Sequence, residues 1–304
     1  MSMLVGKRTS MRLPTYRGYL LPGLVILLVS VVGGLLWNFY YSFTRWPGVG
    51  PIEYVGLKNY SIIFTHDDVR TAMLHAAWFV VPMSIIPTLL GIFVAAVISD
   101  YLVPRFGQGL GVYLRGVLFL TTIIPMSITG QLWRWILDTH HGVLNDVLSH
   151  FGCENCAVPW LDNARLTQVS LSVIMVWLQL GFAVIIFMAG MARLDESVYE
   201  AAELDGAGWF SKFWHITIPL LLPEFAVVGV VTLISGLKVF APVYWITDGG
   251  PFGATTVPSL YSFNSFFGGG TIGYGSAVST LLTAVMISVA LYAMRIYRKS
   301  GRGA

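Results

Sequence analysis

Residues 194–219 read Leu194-Asp-Glu-Ser-Val-Tyr-Glu-Ala-Ala-Glu-Leu-Asp-Gly-Ala-Gly-Trp-Phe-Ser-Lys-Phe-Trp-His-Ile-Thr-Ile-Pro219. Ser197-x-x-Glu200 has the spacing of a capping box, which starts a helix. Ala201 and Ala202 are strong helix formers that propagate it, and Gly206 permits the turn that ends it. Trp209, Phe210 and Phe213 put apolar bulk on the next segment. Pro219 and Pro223 mark the start of another helix. This polar, acidic island is flanked by apolar runs at 169–191 and 218–240. Each is long enough to cross a bilayer, which takes about 20 apolar residues. The segment is therefore expected to be a short helix–turn–helix lying on a membrane surface between two spans.

Four more runs of the same kind lie outward from it, at 19–43, 73–99, 112–136 and 276–297. Of the 304 residues, 56% are apolar and only 11% charged, where a soluble domain carries about 25% charged residues. Mean hydropathy is +0.72. So few charges cannot coat a water-facing surface, and the same figures exclude a disordered chain, a collagen and a coiled coil. The runs do not alternate every second residue as barrel strands do. Continuous apolar stretches must pair their backbone groups internally, which reads as helix. The chain is expected to be all-α and polytopic, with six transmembrane helices. The first run exceeds a signal-peptide core and is followed by Phe39, Tyr40, Tyr41 and Trp46, as in an interfacial aromatic belt.

Basic residues orient the spans. One side would carry twelve: Lys7, Arg8, Arg12, Arg17, Arg105, Arg115, Arg193, Lys212, Arg295, Arg298, Lys299 and Arg302. The other would carry six: Arg45, Lys58, Arg70, Arg134, Arg165 and Lys238. The positive-inside rule puts both termini in the cytoplasm. The resulting organisation is a cytoplasmic tail at 1–18, a membrane domain at 19–297 with its cytoplasmic loop at 192–217, and a cytoplasmic tail at 298–304. The outer connections at 44–72, 137–168 and 241–275 are long. The last has 8 glycines and no Lys or Arg and is expected to be flexible.

No Gly-x-x-x-x-Gly-Lys-Ser/Thr loop is present to cradle ATP phosphates, and no His-Glu-x-x-His zinc helix. His140 and His141 are neighbours that point to different faces, and read as an interfacial pair ending the third span. No carboxylate lies mid-span. Glu224 comes nearest, in the first turns of the fifth span, where the helix dipole favours it and water is close. Lys238, at the far end of that span, can snorkel. Cys153-x-x-Cys156 in an outer loop is open to a local disulfide, two free thiols or a redox role.

Glu200, Glu203 and Asp205 suit a basic protein partner better than a surface of anionic lipid. The loop resembles the EAA loop of binding-protein-dependent ABC importer permeases: Glu200, Ala201, Ala202, Asp205, Gly206, Ala207, Ile216 and Pro219 match at the family spacings. Ile218 stands where Leu is usual. Two further segments resemble sugar permeases of the maltose type. They are Tyr54-Val-Gly-Leu-Lys-Asn-Tyr60 and Val239-Phe-Ala-Pro-Val-Tyr-Trp-Ile-Thr-Asp-Gly-Gly-Pro251. The latter family stretch usually ends Thr-Gly-Gly-Gly-Pro, and Asp248 departs from it.

The resemblance implies the type I importer permease fold in a bacterial or archaeal plasma membrane. It implies a pore shared with a homologous second permease, two ATPase subunits beneath, and an external substrate-binding protein. ATP and Mg would be held by the ATPase subunits and no cofactor by this chain, which would be a transport subunit and no enzyme. The EAA loop would dock on an ATPase and drive alternating access.

A sugar path should combine aromatic faces with neutral hydrogen-bonding groups. Trp177 and Gln179 in the fourth span are candidates, with Ser127, Gln131 and Ser235, each of which could equally bond helix to helix. Rival readings are an importer for a polyol, a glycerol phosphodiester or an amino-sugar, an ion-coupled secondary transporter, and a membrane-embedded enzyme. The transporter lacks mid-span carboxylates and the enzyme lacks a catalytic constellation.

Overall fold

In the computed structural model, residues 14–152 and 157–300 are described. Cys153 and Cys156, the basic residues Lys7, Arg8, Arg12 and Arg302, and the ends of both tails lie outside them. Among the described residues, four helices are long and apolar enough to cross a membrane: Tyr19–Tyr41, Asp67–Phe106, Ala164–Met191 and Ile272–Ala293. The other two expected spans are bent pairs. Gln108–Ile123 meets Met126–Ile136 at 96°, and Trp209–Leu220 meets Leu222–Leu237 at 70°. The third span is thus not one straight helix over 112–136. Its break has a local cause: Ile124, just before Pro125, is driven out of the helical region, to φ −65° and ψ 128°.

The second span packs along the fourth and carries the fifth on another face; the third lies along the fourth, and the sixth holds the first. At the third–fourth crossing a Cβ on Gly181 would sit 2.1 Å from the Leu118 carbonyl oxygen, so only glycine allows this approach. The buried side chains form two main clusters at opposite ends of the bundle. One gathers Phe79, Met83, Leu171, Ile174, Val243 and Leu260 from the start of the second and fourth spans and from the last outer connection. The other gathers Ala95, Ile98, Val184, Phe187, Phe213 and Leu221 at the end where residues 192–217 lie. The first span stands apart, with none of its apolar window buried. It is pinned by Asn38, whose amide donates to Thr280 Oγ1 at 2.9 Å and accepts from Ser279 Oγ at 3.0 Å.

The outer connections are more ordered than their composition suggests. After the first span, Thr44–Arg45 pairs antiparallel with Glu53–Tyr54. The Asn59 side chain, buried under it, donates to the carbonyls of Ser42 and Thr44 at 2.9 and 2.8 Å. The expectation of a flexible last connection is corrected. Residues 241–275 hold helices Ala241–Ile246 and Pro258–Phe267, and the final helix already begins at Ile272. Val243, Ile246, Val257 and Leu260 sink into the core, and that burial overrides the glycine content. Asp248 stands at φ 49°, a left-handed conformation that glycine adopts freely and Asp better than most.

Candidate functional site

The segment after the fourth span folds as a helix, Glu196–Leu204. Its cap is not Ser197, as the capping-box spacing predicts, but Asp195, whose carboxylate accepts from the Ser197 backbone N–H at 3.0 Å. That hydrogen bond holds the Asp195 carboxyl below its ordinary value. The other end closes as a Schellman turn, with Gly206 at φ 78°. Ala207 N–H donates to the Ala202 carbonyl at 2.9 Å and Gly206 N–H to that of Glu203 at 3.0 Å.

The residues beyond the turn anchor it. Trp209 stacks on Phe213 at 5.4 Å, and its indole N–H donates to Asp100 Oδ2 at 3.2 Å. Lys212 Nζ donates to Glu203 Oε1 at 2.6 Å. Tyr199 and Thr217 share a hydrogen bond of 2.9 Å, and burial pushes the Tyr199 phenol above its ordinary pKa. Behind the helix lies a cavity of about 460 Å³ that reaches Asp100, Arg115 and Met188 at the ends of the spans. The helix is held at its ends and seated over a space.

Its outward face is bare. Glu200, Ala201, Asp205 and Gly206 are exposed, Ala202 and Ala207 half-buried. Among the described residues Glu200 pairs with nothing. Leu204, 90% exposed, projects from the last turn. Ile216 is half-buried and Pro219 exposed, in the stretch leading to the fifth span. Beneath it Glu224 is buried, and Arg193 at the end of the fourth span supplies its counter-charge. Water is close, as expected, at the exposed Arg193, while the Glu224 side chain itself lies against Gly190 of the neighbouring helix.

The residues proposed for a solute path are not brought together as one site. Trp177 packs edge-on against Trp133 at 5.5 Å, beside the buried core. Gln179 and Ser235 are half-buried. Ser127 and Gln131 share a groove of about 470 Å³ at the opposite end of the bundle, with Ile128, Leu132, Trp135 and Trp245. Trp135 follows Gln131 by one helical turn and was readable from spacing. Trp245, on another element, gave no such signal. His140 and His141 donate their backbone N–H groups to Asp138 Oδ1 at 2.9 and 2.7 Å, which lowers the Asp138 pKa. They form a turn, and among the described residues no group of His, Cys, Asp and Glu is placed to hold a metal.

An all-α bundle of membrane-length helices, with a doubly capped helix presented at one end, defines a membrane permease of the type I importer fold. Residues 109–301 match the family described as binding-protein-dependent transport system inner membrane component, and the chain belongs to it. It is 31% identical over 288 residues to the trehalose/maltose transport system permease protein MalF of Thermococcus litoralis, covering 94% of this chain and 93% of that one. It is 29% identical over 282 residues to the probable ABC transporter permease protein YurN of Bacillus subtilis, covering 92% and 94%. Among solved structures it superposes on a chain of a bacterial alginate ABC transporter in complex with an alginate pentasaccharide-bound periplasmic protein. The TM-score is 0.80, at 21% identity, with 94% of each chain covered. The chain is a transport component of an inner membrane rather than an enzyme.

Proposed function

We propose that this chain forms half of the pore of an ATP-driven, binding-protein-dependent importer for a carbohydrate. The observation that carries the coupling part is the helix Glu196–Leu204, capped at both ends yet bare on the face of Glu200, Ala201 and Leu204. A helix so presented is a docking element. Ala201 permits close seating, Glu200 offers a charge to a basic residue, and Leu204 an apolar knob. The partner is an ATPase subunit that holds ATP and Mg. Its closure moves the helix, and Trp209, Lys212 and Tyr199 pass the motion to the second and fifth spans, giving alternating access.

The docking face and both termini are cytoplasmic, in line with the twelve-to-six split of basic residues. A second, homologous permease completes the pore, and a substrate-binding protein delivers solute to the opposite face. The carbohydrate reading is supported by the trehalose/maltose and alginate relatives and by the neutral, amphoteric Gln179 and Ser235 within the spans.

The test is a charge reversal. Glu200→Lys sets a cation against the partner's cation, a repulsion on the order of several kcal/mol at a partly desolvated contact. The variant should insert normally and lose uptake, with the ATPase dissociated or turning over without transport. A compensating acidic substitution on the ATPase should restore part of the uptake. Wild-type transport by Glu200→Lys would remove the coupling role from this helix.

A further inference from the structure

We infer that the groove formed by Trp135, Trp245, Gln131 and Ser127 is a sugar-stacking subsite at the outer mouth of the pore, met before any site within the spans. This rests on the carbohydrate reading above. Four observations carry it. Two indole rings border one groove of about 470 Å³, with Trp135 59% and Trp245 38% exposed. Pyranose rings present apolar C–H faces that stack on such rings, and a pair of aromatics in one groove fits that shape.

Gln131 lies exposed in the same groove, one turn from both Ser127 and Trp135. Its amide both donates and accepts, as a ring of hydroxyls requires. The backbone that carries Trp245 is also fixed in advance. A Cβ on Gly130 would fall 2.7 Å from the Trp245 Cβ, so glycine lets the helix Met126–Ile136 press directly on the backbone that carries Trp245. Finally, the groove lies beyond the bend that breaks the third span, near the core cluster remote from Glu196–Leu204. A solute passing from a docked binding protein toward the spans meets that end first. No charged side chain lines the groove, so it suits a neutral sugar rather than an acidic or phosphorylated one.

The test uses the complete transporter in proteoliposomes with its binding protein and ATPase, offered radiolabelled trehalose, maltose and glucose. The wild type establishes which sugar is moved per ATP hydrolysed. Two double variants are then compared, one with Trp135→Phe and Trp245→Phe, the other with Trp135→Leu and Trp245→Leu. Phenyl rings keep the stacking face, whereas leucines keep only apolar bulk. The expected result is sugar per ATP near wild type for the first and roughly fivefold lower for the second, the scale of lost aromatic stacking. ATPase stimulation by the loaded binding protein should persist in both. Equal transport by the leucine and phenylalanine variants, whether both normal or both impaired, would overturn the subsite and leave these rings as packing. A wild type that moves a non-carbohydrate solute delivered by its binding protein, and none of these sugars, removes the carbohydrate reading, and the subsite falls with it.

Discussion

Asp248 occupies a backbone position that costs most L-residues about 1–2 kcal/mol. Its φ is 49°, in the left-handed region. An Asp there is tolerated but not optimal. Asp248→Gly should leave stability unchanged or slightly higher, and Asp248→Val, with its branched Cβ, should lower it by about 1–2 kcal/mol. Thermal unfolding of the detergent-solubilised protein measures both, and equal midpoints for the two variants would contradict the strained-backbone account. Gly206 and Glu200 were readable from the sequence because helix, turn and charge lie within a few residues of one another. The pairing of buried Glu224 with Arg193 was not, because its partners are 31 positions apart on different helices.

The helix Glu196–Leu204 starts from an Asp cap, two residues before the serine that the capping-box spacing pointed to. The spacing favoured Ser197, which has Glu200 three residues on, and the backbone geometry puts the cap at Asp195 instead. The choice has a pH signature. A carboxylate whose pKa is depressed by folding stabilises the fold above its unfolded value, and that contribution fades as pH falls through the folded value. The protection of the Ser197 amide, its exchange measured against the intrinsic rate at each pH, should therefore hold between about pH 7 and about pH 5 and fall once the pH drops below the ordinary carboxyl value of 3.8. In Asp195→Asn, which keeps a capping oxygen without the charge, this loss of protection should disappear. Its persistence would locate the titrating group elsewhere. The bent third span was also partly legible, since Pro125 stands in the sequence. Hydropathy counts apolar residues and is blind to direction, so the expected run continued through the break. The order in residues 241–275 was hidden for another reason: contacts with distant helices stabilise it, and no local pattern announces them.

At the scale of the whole molecule, the two buried clusters and the two bends give the bundle distinct ends. If the positive-inside reading holds, one end faces the cytoplasm and the other the exterior. In a chain with Cys153→Ser and Cys156→Ser, a cysteine at Ser211 should react only with a membrane-permeant maleimide. One at Ser149 should react with an impermeant reagent in spheroplasts. The reverse pattern would invert the topology and with it the assignment of the ATPase face. Six apolar runs were plain from the hydropathy pattern, but not that two of them are bent pairs. Their mutual arrangement was not, because contacts such as Gly181 on Leu118 depend on what is absent from a side chain.

Asn38 has a further consequence, for assembly in time. It bonds to the final helix, 238 residues downstream at Ser276. At about 5–20 residues per second of synthesis, the first helix waits some ten to fifty seconds in lipid before the groups that receive its amide exist. It enters the bilayer first and is placed last. Until then its amide has interfacial water for a partner, beside Phe39, Tyr40 and Tyr41 at the end of the span.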